Sequence, residues 1–235
     1  MRHPRAMIAA MALSGGCRAG SARAEEPPPS SRPPYQLELG PIVGVVARGT
    51  KQNPNDIIYK PALLYGLQLR LRLASWLRAS ARYQVARHDI HVPPGALGTH
   101  ATRIVSDPAR TTSVAAMFHP VWTPTVRLHL MGIFGVGWTK IDVPPLELDP
   151  PQGANVRSRG GVLLETPIGA SVSLDLLRGW MSAGYDVTYS PAFLQTGAMY
   201  QDDVYVNRMG QSAIATPMPR VSYTFANVLW IAVNL

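Results

Sequence analysis

The amino-acid sequence predicts an all-β protein, an eight-stranded antiparallel up-and-down transmembrane β-barrel. Three observations carry this. Apolar residues recur at every second position over long stretches from Tyr35 onward, the joins between those stretches alternate short and long, and aromatic residues gather at both ends of the apolar face. A period of two belongs to strands; the 3.6-residue period of a helix would put arginines on every face here.

The first 24 residues read as an address. MRHPRAMIAAMALSGGCRAGSARA joins basic Arg2 and Arg5 to an apolar centre from Ala6 to Leu13 and a small-residue end, Ala22-Arg23-Ala24. That order predicts a secretory signal peptide over 1–24, cleaved after Ala24. The alternative is a lipoprotein signal acylated at Cys17, although Leu13 stands one place too far from the cysteine for the usual lipobox. Residues 25–34, EEPPPSSRPP, hold five prolines and are expected to form an extended leader. The barrel domain is expected over 35–235.

Strand 1 (35–48) sets Leu37, Leu39, Val43 and Val45 against Gln36, Glu38, Gly40 and Gly44. Strands 2 and 3 form a hairpin around Ser75. Tyr65, Leu67, Leu69, Leu71 and Leu73 alternate with polar or small residues, as do Leu77, Ala79, Ala81, Tyr83 and Val85. The pairing places Leu73 opposite Leu77 and Leu67 opposite Tyr83, with one face apolar and the other polar or small. Strand 4 (111–120) carries Val114, Ala116 and Phe118; strand 5 (126–140) carries Val126, Leu128, Leu130, Phe134, Val136 and Trp138. Strand 6 (160–176) carries Val162, Leu164, Ile168, Val172 and Leu174, and strand 7 (180–190) carries Met181, Ala183, Tyr185, Val187 and Tyr189. Strand 8 (219–235) ends on Leu229, Ile231, Val233 and Leu235. Pro41 and Pro167 are expected to mark local bulges, and Asn227 falls on the apolar face unless strand 8 is bulged as well.

Composition excludes several classes. One cysteine in 235 residues leaves no disulfide framework and no CxxC site. No apolar run approaches the ~18 residues of a membrane helix. The net charge of +8 invites a nucleic-acid reading. Four of the 22 basic residues lie in the signal, however, and the remaining 18 face 14 acids without a basic block or recognition motif, so no nucleic acid is expected.

Alternation alone does not say which face meets which solvent. A soluble, periplasmic lipocalin-like binder of apolar ligands would share it with inside and outside exchanged. Across the proposed strands the apolar face carries no charge. Glu38, Arg70, Arg72, Arg78, Arg82, Arg127, Glu165, Asp175 and Asp186 all fall on the other face, which makes them the expected interior polar network. The joins at 74–76, 121–125 and 177–180 are short; those at 49–60, 87–110, 141–159 and 191–218 are long. Trp76, Trp122 and Trp180 fall on the three short turns, while Tyr65, Tyr83, Trp138 and Tyr189 lie toward the opposite strand ends. These are two membrane-interface girdles. Between them the apolar face of strand 2 spans roughly 23 Å, close to the ~25 Å of an outer-membrane apolar band.

In these features the chain resembles the small eight-stranded outer-membrane barrels of Gram-negative bacteria, the OmpA/OmpX/OmpW-type superfamily. The likeness covers about residues 35–235 and is one of architecture. It implies short periplasmic turns, long extracellular loops and a porin-like location in the cell outer membrane, with membrane lipid and lipopolysaccharide as partners and a monomeric state.

A barrel of eight strands is just wide enough for its own side chains. A salt-bridged plug is therefore expected, made by Glu38, Glu165, Asp175 and Asp186 with the arginines, and joined by His119 and His129 near the short turns. The expected role is structural or surface-interacting, with at most minor passage of small or apolar solutes. A lipid A-modifying barrel enzyme is the catalytic alternative, with His88, Asp89 and His91 of RHDIH as its candidates, but no nucleophile motif stands beside them, so no enzyme is expected. His91, His100 and Asp89 lack metal-ligand spacing. No metal and no cofactor are expected.

Overall fold

Alternation sustained over a dozen residues is satisfied by pairing on both strand edges, and in this chain the pairing closes into a ring. The computed structural model describes residues 37–50, 57–149, 153–206 and 209–235. The expected signal, Cys17 and the Pro-rich leader lie outside the described residues. The ring strands are β1 (Leu37–Thr50), β2 (Ala62–Ala74), β3 (Leu77–His88), β4 (Ala109–Trp122), β5 (Leu128–Val143), β6 (two segments, Arg159–Glu165 and Ile168–Leu176), β7 (Met181–Thr196) and β8 (Val221–Asn234). Each pairs antiparallel with its neighbours in sequence, and β8 returns to β1 over Glu38↔Asn234 to Thr50↔Val221. Closure leaves no edge strand and gives the backbone N–H and C=O groups partners within the wall.

The registers locate the irregularities. Leu67 faces Tyr83 as expected, but the ladder shifts at the turn, so that Ala74 rather than Leu73 stands opposite Leu77. Pro41 is not a bulge: β1 and β2 stay in one register from Leu37↔Leu71 to Val46↔Ala62, and the proline only withholds an N–H. Pro167 interrupts β6 without shifting its register on β5, where Glu165↔Gly137 and Ile168↔Phe134 keep the same offset. The bulge falls instead on the facing strand, where Leu164↔Leu194 is followed by Glu165↔Ala192. The extra residue turns both Phe193 and Leu194 outward. Asn227 does face outward, with no bulge beside it, and accepts a hydrogen bond from the Tyr185 hydroxyl at 2.8 Å.

Solvent exposure decides between the two barrels. On β2, Leu63, Tyr65, Leu67, Leu69, Leu71 and Leu73 are 40–72% exposed, whereas Gln68 and Arg70 are 4% and 1%. Leu39, Val43, Val114, Phe118, Phe134, Val136, Ile168, Leu174, Leu229 and Ile231 continue the outward apolar belt around the ring. A lipocalin-like binder requires the reverse arrangement. Such a belt is costly in water and is matched by lipid tails.

The long joins are built structure, beyond the turn chemistry that the sequence displays. Ile58–Tyr59 pairs with Ile90–His91; Leu146–Leu148 lies between Ile104–Ser106 and Asn155–Val156; Asp203–Val206 folds back on Ser212–Ala215. Their apolar side chains pack onto the inward ends of the ring strands. Ile57, Tyr59, Leu146, Leu148, Val156, Met199 and Met218 meet Ala109, Ile141, Val143, Leu163 and Val221 in one buried cluster.

These exposures predict opposite responses to charge. Leu67→Arg lowers the unfolding free energy of vesicle-embedded protein by about 2–4 kcal/mol, the cost of a cation near the bilayer midplane. Val126→Arg, at a turn position 91% exposed, leaves it unchanged. Urea titration in phosphatidylcholine vesicles measures both.

Candidate functional site

The lumen is the place where this chain concentrates chemistry, and its side chains sort into levels along the axis. Inward positions alternate with the outward belt, so each level collects residues from several strands at once.

At the short-turn end, Arg78 on β3 donates to Glu38 on β1 at 2.7 Å. His129 Nε2 lies 3.0 Å from Asp175, and its Nδ1 is 3.2 Å from the Thr123 hydroxyl. Asp175 therefore has a histidine among its partners. His119 is fully buried with Nε2 2.7 Å from Ser80 Oγ.

The middle level is organised by Asp186, which is 0% exposed. Its carboxylate accepts from Arg70 Nη2 at 3.1 Å, from Arg82 Nη2, from Ser171 at 2.6 Å and from the Trp230 indole at 2.9 Å. Arg82 also donates to Gln68 Oε1 at 2.8 and 2.6 Å. One carboxylate thus faces two guanidiniums, and the Trp230 ring supplies the rest. Arg70 lies 3.8 Å over its centroid, a desolvated cation–π contact of about 2 kcal/mol or more. Gly184 makes room for that ring, since a Cβ there would sit 2.4 Å from it.

Toward the loops, Glu165 accepts from Arg48 at 3.2 Å, from Thr139 at 2.8 Å and from Thr224, while Arg48 donates to Thr224 at 2.7 Å. The Pro167 interruption ends the first β6 segment at Glu165, whose side chain points inward to this level. The space left between Arg82, Gln84, Ser113, Thr139, Glu165, Thr188 and Thr224 is about 30 Å³, room for roughly one water.

Not every expected member belongs. Arg127 is exposed at the edge of the short turn just before β5, where its carbonyl accepts from Asp175 N–H at 2.9 Å and Leu128 N–H turns back to the Thr125 hydroxyl at 3.1 Å. Arg72 is half-buried opposite Arg78 and has no carboxylate partner among the described residues. Glu38, Arg70, Arg78, Arg82, Glu165 and Asp186 are all buried, and Asp175 is half-buried. Arg48, Trp230 and Gln68 are members that the sequence reading missed. Arg48 carried a usable signal, since it shares the inward parity of Ile42 and Val46 near the end of β1.

Trp76, Trp122 and Trp180 are 61–65% exposed at the short-turn end. Tyr65, Tyr83, Trp138 and Tyr189 are 45–57% exposed on the outer wall farther along their strands.

Above Glu165 the lumen meets the loop cap. Met199 descends onto β6, where a Cβ on Gly161 would stand 2.1 Å from its sulfur, and Arg159 reaches Asp203 at 3.6 Å and the Thr216 carbonyl at 2.9 Å. Tyr59 stacks edge-on against His88 with centroids 6.1 Å apart. Burial, with Tyr200 close by, pushes the Tyr59 hydroxyl well above the usual phenol range, and burial pushes Tyr200 up to about 12. Both stay protonated at any physiological pH. The RHDIH residues are split: His88 is buried and faces inward with Nδ1 3.0 Å from the Lys60 carbonyl, while Asp89 and His91 are exposed. No metal-holding cluster of His, Cys, Asp or Glu occurs among the described residues.

No protein-family model matches the chain, and no curated protein matches it. Solved structures of similar architecture include a major outer membrane protein from Thermus thermophilus, with 12% identity, TM-score 0.48, and 85% of this chain and 99% of that one covered. They include the attachment invasion locus protein Ail of Yersinia pestis, with 11% identity, TM-score 0.45, and coverage of 85% and 99%. The outer membrane protease OmpT from Escherichia coli is similar at 9% identity, TM-score 0.31, and coverage of 86% and 96%.

Removing one partner of a buried ion pair leaves the other uncompensated, which costs about 3–5 kcal/mol. Asp186→Ala strands two arginines and is expected at or above the top of that range in equilibrium unfolding, whereas Glu38→Ala strands only Arg78 and costs less. Met199→Ala empties the cap with a local cost of about 2–5 kcal/mol. It is expected to speed protease nicking within 191–218 while the barrel keeps its folded gel migration.

Proposed function

We propose that the chain is an outer-membrane β-barrel of the OmpA/OmpX/OmpW type, exported by a signal cleaved after Ala24, with short turns periplasmic and long loops extracellular. Its role is structural and surface-interacting rather than catalytic. It works as a monomer among outer-membrane lipid and lipopolysaccharide, and it binds no nucleic acid. The observation that carries this reading is a belt of exposed leucines, valines and aromatics around a lumen closed by paired charges. With about 30 Å³ free at the polar level and an apolar cap above it, passage of solutes is not part of the proposal. The inward turn of His88, away from lipid, supports the non-catalytic reading over a lipid A-modifying enzyme.

The test combines fractionation with electrophoresis. The protein is expected in the outer-membrane fraction, migrating faster unheated than boiled; full release by osmotic shock would sink the proposal. In planar bilayers the purified protein is expected to show no steady conductance at neutral pH, and a persistent open channel would contradict the sealed lumen.

A further inference from the structure

The outer wall carries a second feature, on β3, β4 and β5 just beyond the upper girdle. Cross-strand partners form rows there. Tyr83, Val114 and Trp138 make an apolar row; Val85, Thr112 and Lys140 make the next; Arg87, Arg110 and Asp142 make the third. Arg87 and Arg110 are both exposed and stand directly opposite one another in the ladder. Like charges in that position repel, and neither guanidinium has an ion-pair partner among the described residues. The nearest carboxylate in the row, Asp142, is held by Lys140 at 2.9 Å. Asp89 and Asp107 are exposed in the loops that adjoin the two arginines.

Height on the wall identifies what such a pair faces. Arg87 lies four residues beyond Tyr83, which at 3.3 Å per residue and a tilt near 40° is about 10 Å along the axis. A girdle tyrosine marks the edge of the hydrocarbon and the headgroup layer adds about 5–8 Å beyond it, so the two arginine backbones stand at the outer boundary of that layer and their long side chains reach back to the phosphates. A phosphate monoester offers three acceptor oxygens to two planar donor forks, and its charge removes the repulsion between them.

We propose that Arg87 and Arg110, flanked by Lys140, form a binding site for the phosphorylated headgroup of an anionic lipid in the leaflet at the long-loop end. The site rests on the membrane reading above. It explains two like charges set opposite one another with no ion-pair partner among the described residues, and it places the ligand's acyl chains along the apolar wall below.

The test uses full-length protein folded into phosphatidylcholine vesicles, with and without phosphatidic acid as the probe. Bound phosphatidic acid is counted by native mass spectrometry after extraction. Each basic residue contributes about fivefold in affinity to an anionic lipid, so Arg87→Gln with Arg110→Gln is expected to weaken retention roughly 25-fold. Arg87→Lys with Arg110→Lys is expected to recover most of the loss, and the charge-matched pair Arg103→Gln with Arg157→Gln, in the loop cap, to have no effect. In phosphatidylcholine alone the Gln pair is expected to unfold at the same or a slightly higher urea concentration than wild type, because a repulsion has been removed. Equal retention by wild type and the Gln pair overturns the site while leaving the membrane reading intact. Failure of the wild type to fold into phosphatidylcholine vesicles overturns both.

Discussion

An ionised side chain enclosed in a protein cylinder has no water to turn to, and the whole lumen is arranged around that fact. Desolvating a charge costs several kcal/mol even after relaxation, so four arginines cannot stand inside the ring unless each meets compensating oxygen or π density. Arg48, Arg70, Arg78 and Arg82 face three buried carboxylates, Glu38, Glu165 and Asp186. The shortfall of one falls at the middle level, where Trp230 lies under Arg70 and Gln68 accepts twice from Arg82. Each carboxylate is reached from strands that are distant in sequence, as in Arg70–Asp186 and Arg48–Glu165. Pairing the charges therefore requires the ring to be closed in its observed register, and a one-residue slip would turn the same groups out into lipid.

The strands cross from one environment to another along their length, and the alternation changes meaning as they do. On β5 the inward residues run His129, Met131, Ile133, Thr139, Ile141 and Val143, with polar members at His129 and Thr139 and only apolar ones at the loop end. Outward, the sequence runs Leu130, Phe134, Val136 and Trp138, then Lys140 and Asp142. Beyond the aromatic girdle the outside is wet and the inside is a small apolar core shared with the loops, the arrangement of an ordinary soluble domain. The inversion of polarity happens within one strand over a few residues, and it tells where lipid ends.

Strand number, face and closure were legible because they depend only on a period of two and on where charge is absent. Leu67 opposite Tyr83 follows from counting outward from the turn at Ser75. What escaped needed information that a single strand does not carry. Arg127 has the parity of an inward member of strand 5, but it stands at the open rim beside the turn, where the wall no longer encloses its side chain. Pro167 looked like a bulge because a proline in a strand withholds a donor, yet the extra residue sits across the ladder at Phe193, where no residue type announces it. His129 on the adjacent strand is a partner of Asp175 that a count of arginines against acids does not bring out. The cap was visible only in part: Ile141, Val143, Leu146 and Leu148 keep alternating past the membrane, but the partners that bury them come from joins far away in sequence.

The two seals of the lumen reinforce one another physically. An ion pair open to water is worth little, because solvent screens it and its long side chains give up entropy to hold one geometry. Arg48–Glu165 lies at the upper end of the charged levels and is 1% and 8% exposed by side chain. The cap of Ile57, Tyr59, Met199 and Val221 keeps water from that end, which strengthens the attraction within. In return, Arg159 fastens the loop at Asp203 and Thr216 and holds the cap over the mouth. A wall that had only the charged levels would admit water from above and lose the pairing nearest the loops. A wall that had only the cap would leave eight strands with no register-specific contact inside. The register is fixed by charge, and the charge is protected by the loops.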